Sequence, residues 1–129
     1  MTKILHTDAA PAAIGPYVQG VDLGNMVLTS GQIPVNPATG EVPSDIAEQA
    51  LQSLENVKAV VEASNLSVSD IVKMTVFVKD LNDFATVNEV YGNFFDKHQV
   101  KHYPARSCVE VARLPKDVDI EIEAIAVRK

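Results

Sequence analysis

The chain has 129 residues, of which 47% are hydrophobic and 22% are charged, and its formal net charge is -6. This length predicts a single domain that buries roughly two-thirds of its unfolded surface. No apolar run approaches the ~20 residues that a membrane-spanning helix needs, so a membrane segment is excluded. The acidic balance offers no basic surface for phosphates, which makes nucleic acid a poor candidate partner.

Two features indicate a reducing compartment. Cys108 is the only cysteine, so an internal disulfide cannot form. The segment Met1–Asp8 lacks the basic stretch and apolar run of a signal peptide. We therefore expect a cytoplasmic protein.

The first predicted elements are a short hairpin and a loop. Tyr17–Val21 and Met26–Ser30 are strand-like, and the glycine and asparagine of the intervening Asp22–Asn25 suit a tight turn. Three prolines and two glycines in Gly31–Pro43 predict an irregular connection. A helix is expected only after this loop.

Two helices and a strand follow. Asp45 and Glu48 resemble a capping box at the start of a helix that Asn65 can end in the left-handed conformation. Ile71–Lys79 is strand-like, with Val72, Met74, Val76 and Val78 on an apolar face and Ile71, Lys73, Thr75, Phe77 and Lys79 on a mixed one. Aromatic and apolar residues at helical spacing predict a second helix over Phe84–Lys97.

The last stretch is interpreted as a second hairpin, with strands over Pro104–Val111 and Val118–Val127. Side chains alternate between the faces of a strand. One face is then small and apolar, whereas the other carries Arg106, Cys108 and Glu121. Such a face can receive a small anion through the arginine fork. The alternative is an ordinary amphipathic hairpin with a solvated face.

Right-handed crossovers place both helices on the same face of one mixed sheet, which predicts an α+β fold. The apolar strand faces then lie under the helices, and the face with Arg106, Cys108 and Glu121 is bare. Apolar residues are expected on that bare face as well: Ile71, Phe77, Ile125 and Val127. A bare face of this kind favours a closed homo-oligomer with sites at subunit boundaries.

Other chemical candidates are weaker. His98 and His102 are four residues apart, but the remaining histidine is distant in sequence, so a helix-end pair is favoured over a metal site. Cys108 lacks a recognisable base and is interpreted as a small hydrophobe. Spacing alone does not decide whether three polar residues border a site or are hydrogen-bonded within the core: Tyr17, Ser30 and Asn88.

Five stretches form a recognisable set of motifs: Ala12–Tyr17, Thr29–Pro34, Thr75–Leu81, Pro104–Val111 and Ile120–Ala126. With these motifs the sequence resembles the RidA (YjgF) family of enamine and imine deaminases nearly from end to end. The resemblance implies one RidA-like domain over residues 1–129 with a chorismate mutase-like fold of ferredoxin-like strand order. A six-stranded mixed sheet would carry two helices on one face and assemble into a barrel-like homotrimer with active sites between subunits.

The resemblance also implies the activity, which is hydrolysis of 2-aminoacrylate and 2-aminocrotonate to pyruvate or 2-oxobutyrate and ammonia, without cofactor or metal. Arg106 would bind the substrate carboxylate, and Glu121 would hold water or transfer protons. The expected pocket lining is Tyr17, Ser30, Gly31, Asn88 and Cys108. A non-catalytic binding module for 2-oxo acids is the main alternative, ahead of a chorismate mutase-like isomerase. The acidic charge disfavours the ribonuclease role described for some relatives.

Overall fold

The computed structural model describes residues 2–129. The strands and helices in that range are β1 (Lys3–Leu5), β2 (Gly20–Asp22), β3 (Met26–Thr29), α1 (Ile46–Glu62), β4 (Ile71–Val78), α2 (Phe84–Lys97), β5 (Ala105–Glu110) and β6 (Ile120–Val127). No helix among these residues is long and apolar enough to cross a membrane. The predicted first hairpin is confirmed as β2 and β3, whereas β1 was not predicted.

The strands form one six-stranded sheet in the order β1-β2-β3-β6-β4-β5. Only β4 and β5 pair in parallel, and every other neighbouring pair is antiparallel. The two helices pack against each other and share one buried cluster with the sheet. This confirms the predicted mixed sheet with both helices on the same face.

Both helices begin and end largely as their sequences predict. Asp45 Oδ1 accepts a hydrogen bond from the backbone N–H of Glu48 at 2.7 Å, which satisfies one of the free donors of the first turn of α1. After the helix, Asn65 adopts a φ of 67°, in the left-handed region. The side chains that α1 and α2 bury fully include Leu54, Val57, Val60, Val61, Val87 and Phe95.

The prediction that the last two strands form a hairpin is wrong, because β4 lies between β5 and β6. The backbone N–H of Val111 donates to Val78 O, and that of Lys79 donates to Asp119 O, so the connection crosses the end of β4. A hairpin needs only a short turn, whereas the connection over residues 111–119 is long enough to cross the end of the intervening strand. Strand periodicity does not specify which partner a strand selects.

Because β4 lies between β5 and β6, the side chains of these two strands do not share the faces of the sheet that were predicted. Arg106 is opposite Met74 and therefore shares the helix-covered face with Ala124, as the register of the two strand pairs requires. Glu121 is opposite Phe77 on the other face. The prediction that Arg106 and Cys108 share a face with Glu121 is consequently wrong.

A bulge in β4 corrects a further prediction. The register between β4 and β6 shifts between Ile71 and Lys73. Ile71 is therefore buried, at 5% exposed, whereas Val72 is 42% exposed, which is the reverse of the predicted faces. Phe77, Ile125 and Val127 do lie half-buried on the face without helices, as predicted.

Arg128 fastens the end of β6 to the β2–β3 turn and to the end of α1. Its two terminal nitrogens each donate to a carboxylate oxygen of Asp22 at 2.9 Å, and they also donate to the carbonyls of Gly24 and Ser64. The hydrogen bond from Arg128 and that from the backbone N–H of Gly24 hold the pKa of Asp22 below its ordinary value.

We expect Arg128→Gln to lower the free energy of unfolding most at neutral pH. A carboxyl whose pKa is depressed by folding stabilises the protein above its unfolded pKa, near ~3.9, and this contribution disappears as the pH falls through the folded value. Urea denaturation at pH 7 and pH 3 should show the difference from the native chain shrinking in acid. Arg113→Gln, which breaks an exposed pair with Asp117, should cost less. A loss independent of pH would contradict the role of Asp22.

Candidate active site

Glu121 lies on β6, where its carboxyl group approaches the backbone of Gly31. A Cβ atom at position 31 would be 2.5 Å from Glu121 Oε2 and 2.8 Å from its Cδ. Only glycine leaves room for the carboxyl group in this arrangement. Burial raises the pKa of Glu121, and the nearby Glu123 carboxylate raises it further. Glu121 is therefore suited to exchange a proton closer to neutral pH than an ordinary carboxyl.

The segment around Gly31 is fixed on both sides by backbone hydrogen bonds. Gln32 exchanges both of its backbone hydrogen bonds with Ile122, at 2.7 and 3.1 Å. Ser30 Oγ donates to Val18 O at 2.6 Å, and its backbone N–H donates to Gln19 O. The Ser30 hydroxyl thus stabilises the loop through its donor and retains acceptor capacity.

A cavity of ≈ 250 Å³ opens beside this segment, with Tyr17, Gly31, Gln32 and Lys116 in its wall. Tyr17 is 45% exposed, and its hydroxyl oxygen accepts a hydrogen bond from the backbone N–H of Ile14 at 3.2 Å. We call Tyr17, Ser30, Gly31 and Glu121 the Glu121 cluster. Lys116, at a φ of 56°, lies in the connection between β5 and β6 and was not among the predicted site residues.

Arg106 lies on the opposite side of the sheet, at the edge strand β5. Its guanidinium carbon is 4.8 Å from the ring centre of Tyr91 and 5.5 Å from that of Phe84, both on α2. Such contacts hold a guanidinium group over aromatic faces. Among residues 2–129, no carboxylate lies within ion-pair distance of Arg106. Its fork is therefore available for an anionic ligand.

Cys108 and Asn88 complete this second group, the Arg106 cluster. Cys108 follows Arg106 on the same side of β5, and burial raises the pKa of its thiol although Arg106 opposes the shift. The thiol is therefore protonated at neutral pH, which agrees with its interpretation as a small hydrophobe. Asn88 is half-buried on α2 between Phe84 and Tyr91. Burial raises the pKa of Tyr91 to about 12.

The residues predicted from sequence thus separate into two clusters on opposite faces of one sheet. The aromatic partners of Arg106 were missed, although the signal was present, because Phe84 and Tyr91 are seven residues apart on one helix face. That stripe was interpreted only as the apolar face of a helix. One chain supplies an arginine without a carboxylate partner and a carboxyl group with a raised pKa, but it does not bring them together.

The fold and the two clusters define a small α+β protein equipped to bind an anion and to transfer protons. The model of the endoribonuclease L-PSP family matches residues 7–128. The chain belongs to this family, which is the RidA/YjgF family that the sequence motifs resemble.

Individual relatives are similar over their full lengths. The 2-iminobutanoate/2-iminopropanoate deaminase of Escherichia coli K12 is 74% identical over 129 residues, which are 100% of each chain. A protein of Vibrio vulnificus with a crystal structure is 88% identical, with a TM-score of 0.97 over 98% of this chain and 99% of that chain. Escherichia coli TdcF with bound serine is 72% identical, with the same TM-score and coverage.

We expect Gly31→Ala to displace the Glu121 carboxyl group and leave the fold intact, because the obstructing atoms are at the end of a flexible side chain. Restoring normal van der Waals contact requires a movement of roughly 1 Å. A crystal structure of the variant measures this displacement directly, and an NMR titration of the Glu121 carboxyl carbon should show a changed pKa.

Gly20→Ala is the matched control. A Cβ atom there would be 2.8 Å from Val60 Cγ1 and 3.0 Å from the backbone oxygen of Leu28, which cannot move freely. This variant should lose roughly 1–3 kcal/mol of stability and keep the position of Glu121. An unmoved Glu121 in Gly31→Ala would show that the glycine is not needed for space.

Proposed function

We propose that the protein hydrolyses reactive enamine and imine intermediates, converting 2-aminoacrylate and 2-aminocrotonate to pyruvate or 2-oxobutyrate and ammonia. The observation that carries this proposal is the 74% identity, over the whole chain, with the Escherichia coli deaminase. The free guanidinium group of Arg106 and the raised pKa of Glu121 support it, because these substrates are small carboxylates whose conversion requires proton transfers.

The chemistry assigns separate roles to the two clusters. Arg106, held over the Tyr91 and Phe84 rings, pairs with the substrate carboxylate. Glu121 gives a proton to the enamine carbon to form the iminium ion, and then accepts one from the water that adds to the iminium carbon. The hydroxyl proton of the resulting carbinolamine passes to nitrogen as ammonia leaves, which gives the 2-oxo acid. The imine carbon is already electrophilic, so positioning and proton transfer are sufficient.

The active site is shared between protomers of a barrel-like homotrimer with a chorismate mutase-like fold. Two observations support this assembly. Arg106 and Glu121 lie on opposite faces of one sheet, so a complete site takes each from a different copy. The face without helices also carries half-buried Phe77, Ile125 and Val127, which a neighbouring copy can cover.

The chain is one RidA-like domain that acts in the cytoplasm on small 2-imino acids. It uses no cofactor or metal and has no nucleic-acid or membrane partner. Tyr17, Ser30, Gly31, Asn88 and Cys108 line the pocket, because they belong to the two clusters that the shared site joins.

A binding module for 2-oxo acids or related carboxylates is the second candidate. The observation that favours it is the structure of Escherichia coli TdcF with bound serine, in which a relative holds a small carboxylate. The same Arg106 fork binds such a ligand without turnover. The two candidates differ in whether the protein changes a reaction rate.

The decisive assay couples the protein to threonine dehydratase and follows 2-oxobutyrate formation. We expect the native protein to accelerate loss of the imine. Arg106→Ala should lower kcat/KM roughly 10- to 100-fold, because it removes a hydrogen bond between charged groups, and the free energy of such a bond corresponds to a change of this size. Arg113→Ala, at an exposed arginine paired with Asp117, is the matched control and should retain activity. No acceleration by the native chain, together with calorimetric binding of 2-oxobutyrate, would favour the binding module.

A mixing experiment tests the shared site. Arg106→Ala and Glu121→Gln should each lose most of the native activity alone, but trimers co-refolded from equal amounts should regain roughly a quarter of it, because a quarter of random interfaces combine the two intact groups. Size-exclusion chromatography checks that the mixtures are trimeric. If the site lay within one chain, every site would lack one group and mixing would restore nothing.

A further inference from the structure

Two buried amide side chains on α1 hold the loop that surrounds the Glu121 cluster. Asn56 is fully buried, and its Nδ2 donates to the carbonyls of Ile33 and Val35 at 3.0 Å each. Gln49 is 4% exposed, and its Nε2 donates to Pro43 O at 2.9 Å. The two residues are two helical turns apart on one side of α1, and together they fasten both ends of the irregular segment 33–43.

Gln49 also reaches the start of β6. Its Oε1 accepts the backbone N–H of Asp119 at 2.9 Å, two residues before Glu121. The amide orientation of Asn56 is fixed in turn, because its Oδ1 accepts a hydrogen bond from Gln52 Nε2 at 2.9 Å. Buried amides that are satisfied in this way fix the geometry of what they bind.

These hydrogen bonds hold the backbone on both sides of the contact between Gly31 and the Glu121 carboxyl group. Ile33 follows Gln32, which pairs with Ile122, so the chain on either side of that approach is fastened to α1. The carboxyl group lies against the glycine with no space for a methyl group. A loop shift of roughly 1 Å would therefore admit water beside the carboxyl group or block its position.

We propose that Gln49 and Asn56 are positioning residues, which hold the Gly31 loop against Glu121 and limit the access of bulk water to that half-buried carboxyl group. This role rests on the proposed function, in which Glu121 transfers the protons. Neither residue touches the substrate, and they act through the backbone of the loop and of β6. Charged groups on this side of the sheet include Glu123 on β6, which acts on Glu121, and Lys73 on β4, and Lys116 lies at the cavity wall.

The test compares Asn56→Ala and Gln49→Ala with the native protein. We expect kcat to fall roughly 10- to 100-fold, as misplaced catalytic groups do, with KM nearly unchanged because Arg106 still binds the carboxylate. Water admitted to Glu121 lowers its pKa, so the inflection of the pH–kcat profile should move to lower pH. An NMR titration of the Glu121 carboxyl carbon should shift in the same direction.

Ser53→Ala is the matched control on the same helix. Ser53 is fully buried, and its hydroxyl has no hydrogen-bond partner among the described residues, so its removal should change neither kcat nor the titration. If Asn56→Ala fails to fold, Gln49→Ala still tests the inference, because its contacts lie at the start of the helix. Folded variants with native kcat and a native titration, or an equal effect in Ser53→Ala, would overturn it.

The outcome is separable from that of the proposed function. If the native protein shows no turnover, the deaminase proposal fails, and the Glu121 titration alone then decides the positioning role. A lower pKa in Gln49→Ala and Asn56→Ala supports that role, and an unchanged pKa overturns it.

Discussion

β4 lies between β5 and β6 in the sheet, and this position decides on which side Arg106 and Glu121 lie. Because β4 pairs in parallel with one neighbour and antiparallel with the other, its register decides the face of every side chain beside it. Arg106 is placed next to α2, and Glu121 is placed on the face without helices. A substrate that needs both groups therefore needs two copies of the chain, which makes assembly part of the proposed chemistry.

Each cluster is built from groups that serve stability and chemistry together. The Tyr91 ring is part of the buried core and also the surface over which the Arg106 guanidinium lies. The backbone pairing of Gln32 with Ile122 continues the pairing of β3 with β6 and also brings Gly31 to Glu121. Rigid elements position such groups more accurately than free loops do, and the amides of α1 extend this rigidity to the one long loop involved.

The sequence predicted what depends on local patterns and missed what depends on distant partners. Apolar spacing identified both helices and the strand at Ile71–Val78, because burial on one face leaves a period in the chain. The spacing did not reveal that β5 pairs with β4, because alternation of apolar and polar residues indicates the face of a side chain and not the strand that pairs with it. The sequence did not predict the bulge after Ile71 or the contacts of Gln49 and Asn56, because these features also depend on residues that are distant in the chain. Family motifs supplied the site residues, but not the faces on which they lie.

The two perturbed carboxyls act on stability in opposite directions. Asp22, whose pKa is lowered by Arg128, stabilises the fold above its unfolded pKa and loses this effect in acid. Glu121, whose pKa is raised chiefly by burial, is most compatible with folding when protonated, so its contribution is lost as the pH rises through its folded value. At neutral pH the site carboxyl therefore costs stability that ion pairs such as Asp22–Arg128 and the packed core must offset.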